Sequence, residues 1–180
     1  MTDLAKDLAR AERLFLDNSL GDRDYLKGCI CNRSRHQRRL RSSAVDVAAD
    51  TLLNARIGGT PFISNKRIMH SFRNFEELYD WVYSVISMGA TGIGNCTVYD
   101  TCLRLGHNMT PKVEPRDYVY IHRCVKDSAI RILGAKAVRG KFRVPRACFD
   151  AVEKDFSTLT AVEIEDFLCV VHPCIVSLYP

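Results

Sequence analysis

The sequence predicts a mostly α, compact multi-helix domain, and three observations predict it. Apolar residues recur at helical spacing in segment after segment. Strand signals are confined to residues 66–69 and 141–144. An apolar fraction of 47% over 180 residues is ample for a core. At this length roughly 70% of the unfolded surface can be buried. One helical domain over 1–180 is expected, with 1–72 and 73–180 as candidate lobes.

The elements follow in order. Leu4, Leu8, Ala11, Leu14 and Phe15 place a first helix over about 2–16, capped by Thr2 or Asp3. Residues 18–24 form a turn-rich break. Ser42 or Ser43 can cap a helix running through Val45, Ala48, Ala49, Leu52 and Ala55, which Gly58-Gly59-Thr60-Pro61 stops. Asn74 caps the next helix, with Glu77 placed as in a capping box and an apolar stripe from Phe75 to Ile86. Residues 89–94 turn the chain, a helix follows over 96–105, and Gly106-His107-Asn108 ends it. Residues 119–133 contain a further helix that stops at Gly134. Pro145 can open a helix through Ala147, Val152 and Phe156. Thr160 and Glu163 make a second capping box before Ile164, Phe167, Leu168 and Val171.

Composition excludes several classes. No apolar run approaches the ~20 residues that span a bilayer, so no membrane is expected. The charged, periodic start is unlike a secretory signal, and a cytoplasmic protein is expected. Eight cysteines are few for a disulfide scaffold of this length, and Cys96, Cys102, Cys124 and Cys169 lie in apolar periodic segments, as buried free thiols do. A net charge of +5 permits an anionic partner without requiring one.

The informative motif is Thr91-Gly92-Ile93-Gly94-Asn95 between two apolar helices. Glycines separated by one apolar residue allow a tight turn that Ile93 can plug. Backbone N–H groups at the turn and at the start of the following helix are then left for an anion. A nucleic-acid phosphate suits them, and such contacts carry no sequence information. A second basic feature is Arg33, Arg35, Arg38, Arg39 and Arg41, with His36 among them and no acid. These arginines can neutralise phosphates; the alternative is a solvated face or ion pairs with Asp22, Asp24, Asp46 and Asp50.

The segment 83–105 resembles the helix-hairpin-helix of DNA repair proteins, and most closely the version in the endonuclease III-type DNA glycosylase superfamily. Gly92, Ile93, Gly94, Thr97 and Val98 carry the resemblance. It implies a glycosylase-like helical fold and binding to nucleic acid, DNA foremost, through the phosphate backbone. The lysine that attacks the sugar in bifunctional members is replaced by Cys96, and Tyr120 stands where the catalytic aspartate falls, with His122 retained. The resemblance therefore implies binding without glycosylase chemistry. The C-terminal half also resembles a family of uncharacterised bacterial proteins, through Gly-Ile-Gly, Tyr99-Asp100-Thr101, Val119-Tyr120, His122, Leu133-Gly134 and the stretch from Ile164 to Cys169.

Other readings stand beside this one. Asp100, Tyr120 and His122, with Lys126, could form a diverged site for an enzyme acting on a nucleobase or nucleotide; the alternative is a buried network in which His122 or a tyrosine satisfies Asp100. Cys29, Cys31 and His36 are a partial zinc set with one residue between the cysteines where two to four are usual; Cys169, His172 and Cys174 are another. Neither completes a site, so no metal and no cofactor are expected. The acidic helix carrying Glu163, Glu165 and Asp166 could instead face a protein partner.

Overall fold

A computed structural model describes residues 3–31, 42–152 and 154–170. Among these residues the chain is mostly helical, with nine α-helices, three two-stranded antiparallel pairs and no closed sheet. It divides into two compact units, Met1–Glu114 and Pro115–Pro180.

In the first unit, α1 (Asp3–Leu16), α2 (Asp22–Ile30), α3 (Ser42–Asn54), α4 (Phe75–Gly89) and α5 (Asn95–His107) pack around a core that includes Leu26, Ile30, Leu52, Leu78, Val98 and Leu105. Helix α5 is central and packs on α1, α2 and α4. Helix α2 is not expected from the sequence, and its first residues lie inside the segment 18–24 read as a break. Gly28 weakens its helical signal, and it lies against the Leu14 side chain of α1, which would have to shift to admit a Cβ.

The chain after α3 does more than stop a helix. Strands β1 (Arg56–Ile57) and β2 (Thr60–Pro61) form a hairpin around Gly58 and Gly59, both at positive φ as a two-residue loop requires. Strands β3 (Ile63–Ser64) and β4 (Arg67–Ile68) form a second, around Asn65 (φ 50°) and Lys66 (φ 59°). A lysine at positive φ is strained, and Asp22 offsets this by accepting from the Asn65 and Lys66 amides at 3.1 and 2.5 Å. Phe62, between the hairpins, is fully buried 4.4 Å from the Trp81 ring.

In the second unit, β5 (Tyr118–Tyr120) pairs with β6 (Arg143–Pro145), with Val119 opposite Val144. Helices α6 (Arg123–Leu133), α7 (Ala135–Val138), α8 (Ala147–Asp150) and α9 (Ala161–Val170) accompany this ribbon, with a 3-10 turn over Lys154–Thr158. Its core joins Val119, Val125, Val144, Phe149, Ile164 and Leu168. The expectation that Pro145 opens a long helix fails. Pro145 ends β6, opposite Tyr118, and α8 is one turn long. Val144 is drawn into the core by its pairing with Val119, which outweighs the proline's local preference for a first helical turn.

Candidate nucleic-acid interface

The turn between α4 and α5 is positioned from both sides. Asn74 caps α4, its side chain accepting from the Glu77 amide at 2.9 Å, and Glu77 accepts from the Arg73 amide at 2.8 Å. Phe75, Leu78, Tyr79, Val82, Val85 and Ile86 bury one face of the helix. The end of α4 is fixed where Gly89 touches Thr51 of α3 too closely for any side chain, and where Ala90, buried, donates to the Ile86 carbonyl at 2.8 Å.

Beyond Ala90 the chain becomes exposed. Thr91, Gly92, Gly94 and Asn95 are exposed and Ile93 is half-buried, a partial plug. Gly92 sits at φ 86°, in the left-handed region that glycine enters without strain. Gly94 (φ −96°, ψ 170°) is extended and serves as the N-cap of α5, but glycine brings no side chain to cap with. Its carbonyl accepts from Val98 at 3.1 Å, which opens the helix. Among the described residues, none accepts a hydrogen bond from the amides of Gly92, Ile93, Gly94 or Asn95. The first turn of α5 carries no acidic residue, so the positive end of a 13-residue helix is uncompensated by its own sequence. An exposed, uncapped, acid-free helix start is chemically an anion acceptor.

The arginines Arg33, Arg35, Arg38, Arg39 and Arg41, with His36, lie outside the described residues. The acids that could neutralise them are largely engaged elsewhere. Asp50 accepts from Arg23 at 2.5 and 3.0 Å, Asp46 pairs with Lys27 at 2.7 Å, and Asp22 holds the β3–β4 turn.

The polar set Asp100, Tyr120 and His122 is divided between the units. Asp100, on α5 of the first unit, lies 3.7 Å from the Arg104 guanidinium. Tyr120 and His122 belong to the second unit and are 2% and 6% exposed. His122 is the N-cap residue of α6, and its Nε2 meets Glu165 of α9 at 2.5 Å, both side chains buried. This partner of His122 is not the one considered from sequence. The acidic helix is spent in similar ways: Glu165 is buried on His122, and Glu163 accepts from the Thr160 amide and hydroxyl at 2.8 Å.

Arg104 is the functional-looking residue that sequence reasoning missed. It is 1% exposed, and its guanidinium donates to Asp7 at 2.9 Å from both Nε and Nη2 and to the Cys29 carbonyl. The available signal was a lone arginine amid Leu103, Leu105 and Cys102, where a buried cation demands partners. Its role is to tie α1 and α2 to the last turn of α5.

Cys29 and Cys102 are fully buried; Cys31, Cys96 and Cys169 are half-buried, and Cys96 occupies the first turn of α5. Burial pushes the Cys29 thiol up to about 12. His36, His172 and Cys174 lie outside the described residues. Among the described residues, no group of three or more His, Cys, Asp or Glu side chains could hold a metal ion. No helix among them is long and apolar enough to cross a membrane.

No family model matches the chain, and no curated protein or solved structure matches it either.

Proposed function

We propose that this protein binds the phosphate backbone of nucleic acid, DNA foremost, at the corner formed by Thr91, Gly92, Ile93, Gly94 and Asn95, without base-excision chemistry. The observation that carries the reading is the exposed turn whose amides donate to no described residue, set at an uncapped helix start free of acids. Such a donor array recognises an anion in fixed geometry and is indifferent to base sequence. The arginine segment supplies the long-range charge. It joins Cys31 to Ser42, and Ser42 starts the helix whose Thr51 touches Gly89, about 14 Å away along α3 at 1.5 Å per residue. Engagement of Asp22, Asp46 and Asp50 by other groups favours an external anion for these arginines.

Fluorescence anisotropy with a labelled mixed-sequence duplex at low salt tests this. Gly94→Val is the decisive variant. Its backbone is extended and a Cβ there meets nothing within 4 Å, so the fold tolerates the side chain while the isopropyl group crowds the donors. Loss of charge-assisted bonds worth about 1.5–3 kcal/mol corresponds to weakening on the order of ten- to a hundredfold. Arg38→Ala with Arg39→Ala should lower the log–log salt slope by roughly 2. If the wild-type protein does not bind at low salt, or if both variants bind as it does, the proposal is wrong.

A further inference from the structure

The positive charge of this chain is concentrated in one stretch of the second unit. Residues 121–146 hold eight arginines and lysines against one acid, Asp127, a net +7 where the whole chain carries +5. Three of the eight are committed inside the protein: Arg146 donates to the Leu159 and Ser157 carbonyls at 2.9 Å, and Arg131 and Arg143 have contacts of their own. Arg123, Lys126, Lys136, Arg139 and Lys141 are exposed, and none of their side chains ion-pairs with a described residue. Asp127 is engaged within the protein, and on α9 Glu163 serves Thr160 while Glu165 serves His122.

Secondary structure spreads these five cations along α6. Arg123 and Lys126 stand on its first turn. At its far end Gly134 turns the chain into α7, with the Ala137 amide on the Gly134 carbonyl at 3.2 Å, and Lys136 lies there. The chain then returns. The Lys141 amide donates to the Val138 carbonyl at 3.1 Å, and the Phe142 carbonyl accepts from Ile121, two residues before Arg123, at 2.7 Å. Lys141 is thus beside the start of α6, Lys136 beside its end, and Arg139 between them along the returning chain. From Arg123 to Leu133 the helix is about 15 Å long at 1.5 Å per residue.

We infer that this surface binds the phosphate backbone of duplex DNA. One strand of B-DNA carries a phosphate about every 3.4 Å along the axis, about four or five over about 15 Å, and five uncommitted cations match that charge. Cations held at fixed spacing by a helix suit a stiff, evenly charged partner, whereas a small anion would engage one end only. The patch offers no free flat group to unpaired bases: Phe142 and Arg143 are engaged within the protein, and Tyr120 is 2% exposed. It can make backbone contacts without base contacts, so its binding is indifferent to sequence. The inference uses residues of the second unit alone and does not depend on the hairpin.

The full-length protein is titrated at low salt with a mixed-sequence duplex of roughly 20 base pairs, long enough to span the surface at about 3.4 Å per pair. Lysine acylation read by mass spectrometry locates the contact. Bound duplex should slow the modification of Lys126, Lys136 and Lys141 in step with saturation and leave Lys112, an exposed lysine of the first unit, reactive. Replacing Lys126, Lys136 and Arg139 together by alanine truncates exposed side chains only, so the fold is kept, and should lower the log–log salt slope by roughly 2.7, at about 0.9 per contact. Replacing Arg13, Arg67 and Lys112 removes the same charge from exposed positions of the first unit and should change the slope by less than about 1. The inference is overturned if no duplex binds, if the duplex binds with the three lysines as reactive as in the free protein or no better protected than Lys112, or if the two triple variants lower the slope equally. It is also overturned if single-stranded DNA or phosphatidylserine–phosphatidylcholine vesicles protect these lysines more strongly than duplex does. Protection of the three lysines with the Gly92 to Asn95 amides unmoved would support this surface and count against the hairpin; the converse would overturn this surface alone.

Discussion

Truncating Arg104 should strongly destabilise the packing of α1 and α2 on α5. In Arg104→Ala the cation leaves, while the Asp7 carboxylate, with its side chain 21% exposed, and Asp100 at 22% stay behind facing the vacated space. The Cys29 carbonyl loses its guanidinium donor inside the core. Removing one partner of a buried ion pair costs about 3–5 kcal/mol, chiefly because the remaining charge is left uncompensated. A domain is stable by about 5–15 kcal/mol in total, so this one change consumes a large share. At about 4 °C per kcal/mol for a unit of this size, the midpoint should fall by roughly 10–20 °C. Thermal and urea denaturation followed by Trp81 fluorescence report the midpoint shift and the free-energy loss, since the single tryptophan packs on Phe62 within the first unit. Arg104→Met, which keeps the volume, should still lose most of that stability. Arg104→Met combined with Asp7→Asn should lose less than the sum of the two, by at least about 1 kcal/mol of coupling. Were Arg104→Met within about 1 kcal/mol of the wild type, or the pair additive, the reasoning that charge compensation anchors α1, α2 and α5 would be refuted.

Further predictions concern local structure. Gly94→Asp should stabilise the first unit by about 1 kcal/mol, because a carboxylate at the empty cap accepts from the first-turn amides, yet weaken duplex binding; Gly92→Ala, forced to positive φ, should cost about 1–2 kcal/mol. Urea melts paired with anisotropy separate the two effects. The Thr160 amide and hydroxyl hold the Glu163 carboxyl below the usual glutamate range. A carboxylate with a lowered folded pKa stabilises above the unfolded value and loses that contribution as pH falls through the folded one. The stability gap between wild type and Glu163→Ala should therefore be present at neutral pH and close in acid, and Thr160→Ala should cost about 0.5–2 kcal/mol at neutral pH; thermal melts across pH check both.

What could be read from the sequence was what neighbours along the chain determine. Asn74 with Glu77, Thr160 with Glu163, and the stop at Gly134 all act within one turn of a helix, and each is found where its spacing places it. The α4–turn–α5 arrangement was legible for the same reason, since the positive φ of Gly92 is a local requirement for glycine. Helix α2 was hidden because Gly28 interrupts its helical signal, and only the second strand of the β3–β4 hairpin was visible, at 66–69, because Asp22, 43 and 44 residues away, supports its turn. The Arg104–Asp7 pair spans 97 residues and His122–Glu165 spans 43. No periodicity encodes which buried charge finds which.

The most direct test of the central claim is an amide-resolved titration. Backbone ¹⁵N–¹H spectra of the full-length protein, recorded as duplex DNA is added at low salt, should show the Gly92, Ile93, Gly94 and Asn95 amides shifting downfield and saturating with the binding isotherm. Saturable binding that leaves those four resonances in place would contradict it.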